Sequence, residues 1–290
     1  MSWEFCARTD VGRTRERNED NYLVFRSGNH SGPEPRAGGT ARRGAIGSLS
    51  PDVLVEEAAA GLLVVADGMG GHANGNIASL AAVESIRDWF EKRRESPADP
   101  NRDWVENEEI RDLATAIGRA NFDIFRRNRG AFSIEGMGTT VVALLLFQRY
   151  AVTACVGDSR IYLQRNGALK QVTKDHSLIE ELIRYNIIGE QDAFLNPNKN
   201  IITRALGMNE TVEVDTQILD VRAGDIWLLC SDGLTDMVED RRIEATLRDA
   251  NPKANLGDVA SRLVDLANHR GGIDNITVVL ARAAAGPQGS

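Results

Sequence analysis

The sequence has few cysteines and none that pair. Its three thiols, Cys6, Cys155 and Cys230, are far apart, which excludes a disulfide scaffold and any zinc-ligand spacing. Cys155 and Cys230 lie within apolar runs and read as buried, reduced thiols. An odd count, with no basic-then-apolar leader at Met1-Ser2-Trp3-Glu4-Phe5, points to a reducing compartment and a cytoplasmic location. No apolar run approaches membrane-spanning length, so no membrane partner is expected. Positive charge is in deficit as well. With 34 Lys and Arg against 42 Asp and Glu, the net charge of −8 argues against nucleic acid as the main ligand. A phosphorylated ligand stays open, because bound cations reverse the local sign of the potential. No Gly-x-x-x-x-Gly-Lys loop and no His-Glu-x-x-His pair occurs, which removes P-loop and zinc-protease chemistry.

What remains is a chain of 290 residues, 42% hydrophobic and 26% charged, able to bury a substantial core. Strand-like runs rich in branched residues fall at 22–25, 62–66, 139–147, 151–156, 160–164, 211–219, 225–230 and 275–281. Short joints at 148–150 and 157–159 favour antiparallel hairpins. Helical spacing of apolar residues predicts helices over 73–92 and 105–128, with shorter ones near 177–185, after Leu234, and over 256–268. Two helices lying between groups of consecutive strands read as α+β, with antiparallel sheets covered by helices. Residues 27–61, rich in Gly, Ser, Pro and Arg, read as a flexible insertion with order expected only near 53–60. Residues 96–101 read as a connection and 286–290 as a tail. None resembles a boundary, so residues 1–285 are expected to form one domain.

Aspartates recur at the ends of apolar strands, usually beside glycine. The run 62–66 leads into Asp67-Gly68, 151–156 into Gly157-Asp158, and 227–231 into Asp232-Gly233; Asp274-Asn275 precedes the run 276–280. Each Asp-Gly alone is explained by a tight turn. Four of them are not, and four converging carboxylates would repel one another unless cations filled the space between them. Hard oxygen donors select Mg²⁺ or Mn²⁺, and a glycine lets its carbonyl approach as a further ligand. The stretch from Asp10 to Asp20 holds three arginines together with Glu19 and Asp20. It reads either as an exposed charged turn or as acids beside the cations plus an arginine able to grip two phosphate oxygens.

The ordered blocks Arg15-x-x-Asn18-Glu19-Asp20, Asp67-Gly68-Met69-Gly70-Gly71-His72, Gly138-Thr139-Thr140 and Gly157-Asp158-Ser159-Arg160 continue with Thr173-x-Asp175-His176-Ser177, Thr203-Arg204-Ala205-Leu206-Gly207, Ser231-Asp232-Gly233-Leu234 and Asp274-Asn275-Ile276-Thr277. Over about residues 8–282 this succession resembles the metal-dependent (PPM, type 2C) protein phosphatases, in the compact form of their bacterial branch. The resemblance implies a four-layer α-β-β-α sandwich of two antiparallel sheets flanked by helices. It implies metal ligation by Asp67, Gly68 (through its carbonyl), Asp232 and Asp274, with Asp158 and Asp232 holding a third, looser cation. Asp20 and Glu19 would act on the same cluster largely through water, Arg15 would hold the phosphate, and residues 176–200 would form a flap.

The implied activity is hydrolysis of phosphoserine and phosphothreonine in proteins, by direct attack of a water held between two Mn²⁺ or Mg²⁺ ions. No phosphoenzyme is needed, and no Cys is followed by five residues and then Arg. His72 reads either as a general acid or as a hydrogen-bonding residue near the helix start, and His176 as a flap residue of structural or functional use. The partners implied are phosphorylated proteins and the serine/threonine kinase that modifies them, with the phosphatase itself a monomer. A dinucleotide fold matches Gly68-x-Gly70-x-x-Ala73 superficially, but the context following the helix is wrong. The other rival is a phosphoprotein-binding module without turnover. Such copies are expected to lose some of Asp67, Asp232 and Asp274, and this chain keeps all three.

Overall fold

The computed structural model describes residues 2–27, 44–47, 57–58, 60–70, 74–95, 106–129, 136–189, 201–250 and 254–284. Two six-stranded sheets stack face to face. In the first, β1 (Ser2–Asp10), β4 (Glu57–Ala58), β10 (Arg160–Arg165), β11 (Ala168–Gln171), β13 (Ile226–Cys230) and β14 (Ile276–Ala284) run in the order β11-β10-β13-β14-β1-β4. In the second, β2 (Asn21–Ser27), β3 (Gly44–Gly47), β5 (Ala60–Ala66), β8 (Val141–Leu146), β9 (Tyr150–Val156) and β12 (Asp215–Asp220) run in the order β12-β9-β8-β5-β2-β3. Neighbours in both sheets are antiparallel. A small ribbon pairs β6 (Gly68–Met69) with β7 (Gly138–Thr139).

Helices α1 (Asn74–Glu95) and α2 (Glu106–Asn128) cover the second sheet. The first is covered by α5 (Asp240–Arg248) and α6 (Leu256–His269), while α3 (Leu178–Arg184) and α4 (Asp232–Thr235) are short. Three apolar layers result, and β5 shows how one strand serves two of them. Leu62, Val64 and Ala66 face the helices, whereas Leu63 and Val65 face the other sheet. Because both faces are buried, the run is apolar throughout rather than alternating. The layer between the sheets is filled by Trp3, Phe5, Leu63, Val65, Trp227 and Leu229 among others.

Several elements differ from expectation. β1 is long and central to the first sheet although no strand was expected there; its Glu4 is neutralised by Arg282 of the paired strand, a partner distant in sequence. β3 comes from the part of the insertion expected to be flexible, whereas β4 falls within 53–60, where order was expected; each pairs at the edge of a different sheet. The strand expected from 211 begins only at Asp215, because Val212 and Val214 turn toward the helix-side core instead of joining a ladder. No helix among the described residues is long and apolar enough to cross a membrane.

Leu63 is fully buried where the two sheets meet. Leu63→Ala should lower stability by about 2–5 kcal/mol, measured by urea unfolding. A loss below about 1 kcal/mol would mean that the sheets are not tightly packed there.

Candidate active site

Strand register brings the acids together. Asn21 pairs with Ala66, so the residues just outside the ladder, Asp20 and Asp67, lie side by side. Cys230 pairs with both Arg160 and Val278, which sets Asp232 near Asp158 on one flank and near the start of β14, preceded by Asp274, on the other. Both sheets therefore end in carboxylates at the same end of the sandwich.

Glycines permit the closeness. A Cβ on Gly68 would lie 2.2 Å from the Gly75 carbonyl oxygen, so the Asp67-Gly68 corner and the first turn of α1 can touch only with glycine there. A Cβ on Gly233 would lie 2.0 Å from the Asn275 carbonyl oxygen, and its absence lets the Asp232 corner meet the Asp274–Asn275 turn.

Hydroxyl and amide side chains then fix the frame. Ser231 Oγ and Thr277 Oγ1 donate to Asp20 Oδ2 at 2.8 and 2.7 Å. Asn275 Nδ2 donates to the Val11 and Arg17 carbonyls, each at 2.9 Å, while its Oδ1 accepts from the Glu19 N–H at 2.8 Å. One side chain thus ties the loop 11–19 to the start of β14. Thr140 holds Asp67 by its backbone: the Thr140 N–H donates to the Asp67 carbonyl at 2.9 Å, and Thr140 Oγ1 accepts from the Asp67 N–H at 3.1 Å. The same hydroxyl bonds Ser159 Oγ at 2.7 Å, linking the Asp67 corner to the Asp158 turn.

The carboxylates themselves are poorly satisfied. Oδ1 of Asp20, Asp158 and Asp232 is buried and meets no hydrogen-bond donor among the described residues. Burial, followed by the charge of Asp274, raises the Asp20 pKa to about 6 against the pull of its two hydroxyl donors. Burial and Asp175 raise Asp158 to about 6, although Arg160 works in the other direction. Asp67 and Asp232 rise further, first by loss of water and then by the charges of their acidic neighbours. Asp67 feels Asp20, Asp232, Asp158 and Asp274 together.

Among the described residues no three acidic, imidazole or thiol side chains form a closed cage. The centre is a convergence of charge with room to contract. Its donors are all hard oxygens, three of them lacking partners, and this set fits divalent cations such as Mg²⁺ and Mn²⁺.

Arg15 stands half-exposed at the edge of the cluster and donates to Asp274 Oδ2 at 2.6 Å. Partial burial opposes its charge, yet Asp274, with Asp67 and Glu19 behind it, raises its pKa overall. Glu19 lies beside the Gly68–Gly75 contact, its Oε2 2.7 Å from where a Gly75 Cβ would be. His72 lies outside the described residues, as does the 190–200 part of the expected flap. His176 is described, and its Nδ1 accepts the Gly157 N–H at 3.0 Å. Its Nε2 lies 3.1 Å from Arg204 Nη1 and 3.3 Å from Asp215 Oδ2. His176 latches the Asp158 turn to β12. The sequence reading gave no separate weight to the Ser231–Thr277 cradle, the Asn275 tie or the Thr140 bridge. Their only signal was position beside the acidic motifs.

Two sheets held in register thus end in five carboxylates at one end of the sandwich, a set of hard oxygens whose chemistry suits divalent cations. Residues 43–266 match the family model described as Protein phosphatase 2C. The serine/threonine phosphatase stp of Listeria monocytogenes is 38% identical over 274 residues, covering 94% of this chain and 93% of that protein. Protein phosphatase PhpP of Streptococcus pneumoniae is 35% identical, covering 96% of each. Among solved structures, the Mycobacterium tuberculosis serine/threonine phosphatase PstP/Ppp superposes with a TM-score of 0.74 at 31% identity, over 98% of this chain and all of that one. A PstP catalytic domain in complex with two manganese ions superposes with a TM-score of 0.72 at 31% identity, covering 98% of this chain and 99% of that one. The chain belongs to the protein phosphatase 2C family, as a metal-dependent protein serine/threonine phosphatase of the bacterial type.

Burial and the neighbouring Arg204 charge lower the His176 pKa below its ordinary 6.5, outweighing Asp215. The unfolded chain thus binds this proton more readily than the folded one, so the stabilisation is present above that value and is lost as pH falls through the folded pKa. With cations saturating the acid cluster, the melting temperature should fall between about pH 7.5 and pH 5.5. His176→Gln should flatten part of that slope, and an unchanged slope would mean that the imidazole is not a neutral latch.

Proposed function

We propose that Asp67, the Gly68 carbonyl, Asp232 and Asp274 hold two core cations, Mn²⁺ or Mg²⁺, with Asp158 and Asp232 holding a third. What carries this reading is strand register that gathers these aspartates at one end of the sandwich, with buried oxygens of Asp20, Asp158 and Asp232 that face no donor among the described residues. Asp20 and Glu19 orient the cluster from behind it. When bound, the cations lower the pKa of a water toward neutrality and offset charge developing on the phosphoryl oxygens. Arg15, half-exposed at the cluster edge beside Asp274, would hold two phosphate oxygens through its planar fork and keep the ester in line. His72 is the candidate for protonating the leaving hydroxyl.

The substrates are proteins phosphorylated on serine or threonine, so the enzyme opposes a serine/threonine kinase. Residues 1–285 act as one domain, a reading supported by the core that the two sheets share. A monomer free of nucleic acid and membranes, working in the cytoplasm, is supported by the net charge of −8 and by three buried free thiols. A binding module without turnover is disfavoured by the retention of Asp67, Asp232 and Asp274.

Hydrolysis of a phosphothreonine peptide should require added Mn²⁺ or Mg²⁺, and full turnover after exhaustive chelation would refute the cation mechanism. Asp67→Asn and Asp232→Asn should each slow turnover on the order of a hundredfold or more, the scale set by losing one charge-stabilising group. Arg15→Ala should raise KM by about tenfold or more, the worth of a charged hydrogen bond; unchanged kinetics would remove Arg15 from phosphate binding.

A further inference from the structure

Beside the acidic cluster lies a cavity of about 310 Å³ that the phosphate chemistry does not use. Its apolar lining, among the described residues, is Met69, Ile202, Ala205, Met208 and Val212. Met69 ties the cavity wall to the acidic corner: it is two residues beyond Asp67, and its ribbon partner is Gly138. A Cβ on Gly138 would sit 3.3 Å from Met69 Cγ and 3.5 Å from Met208 Sδ, so this bare glycine leaves room for both thioethers. The far rim is held firmly by α2. Asn121 accepts from the Gly207 N–H and donates to the Asn209 and Glu210 carbonyls, while Asn128 donates to the Met137 and Gly207 carbonyls. Met208, 56% exposed on that clamped turn, is presented to solvent without a packing role that accounts for it.

Among the described residues, the cation at the pocket, Arg204, is committed to Asp215 at 2.6 Å and Glu213 at 3.3 Å. An acidic guest would meet Glu213 and Asp215 and gain no free positive partner, whereas an apolar guest meets adaptable methionines.

We propose that this cavity is a substrate subsite that takes an uncharged, aliphatic or aromatic side chain of the phosphoprotein. It rests on the phosphatase reading above and adds the sequence preference of that same site. Because Met69 of the cavity wall follows so soon after Asp67, the guest is placed among the residues that flank the phosphorylated one. Two methionines make the preference one of class rather than of a single residue.

The test uses the full chain with Mn²⁺ and a set of phosphothreonine peptides carrying Leu, Phe, Asp or Lys at each of the two positions on either side. p-Nitrophenyl phosphate, which cannot reach the subsite, serves as control. At one position Leu or Phe should exceed Asp by about tenfold in kcat/KM. Met208→Glu should abolish that preference and leave p-nitrophenyl phosphate turnover unchanged, while Met208→Leu should retain it. Equal rates for apolar and charged peptides, or a preference that survives Met208→Glu, would overturn the subsite. Absence of Mn²⁺-dependent turnover of both peptide and control would instead overturn the phosphatase reading beneath it.

Discussion

Mutual repulsion among buried carboxylates is the constraint to which the rest of this molecule answers. Five aspartates stand at one end of two sheets, and in water they would separate. Strand ladders forbid that, because Asp20, Asp67, Asp158, Asp232 and Asp274 each lie next to a residue already locked in register or one step from it. The fold holds charge in a place where charge is unfavourable, and the raised pKa values record the cost. Cations shared among these carboxylates would offset the repulsion, and their affinity would then be coupled to the integrity of both sheets.

The polar frame around the acids explains how repulsion is borne without distortion. Asn275, Thr140 and the Ser231–Thr277 pair bind backbone or secondary oxygens and leave the functional oxygens free. Each such residue spans two segments far apart in sequence, so losing one loosens two corners of the site. Arg160 strengthens the same frame on the outer side, with a forked pairing to Asp175 that fixes the hairpin carrying Asp158. Such pre-organisation is what allows an active site to favour charge that develops only during reaction.

Much of this was legible in the sequence, for identifiable reasons. Apolar runs ending in Asp-Gly announced both the strands and the acids, since few other arrangements place carboxylates rigidly at a strand end. The α+β class and the two long helices followed from periodicity. β1 was not legible, because its charged residues look like those of a loop until Arg282 and Ser261 are seen to satisfy Glu4 and Arg8. The edge strand β3 lies in Gly-, Ser- and Arg-rich sequence with little intrinsic strand preference, and its order comes from pairing with β2. Likewise Asn121 and Asn128 gave no hint of clamping the 207–210 turn, since an amide on a helix face acquires that role only through tertiary contact.

The central claim is that the aspartates are gathered for cations to share. Anomalous diffraction from crystals grown with Mn²⁺ tests it most directly. Peaks within about 2.0–2.5 Å of carboxylate oxygens of Asp67, Asp232 and Asp274 are the predicted result. Crystals saturated with the metal but showing no peak among those side chains would contradict the account.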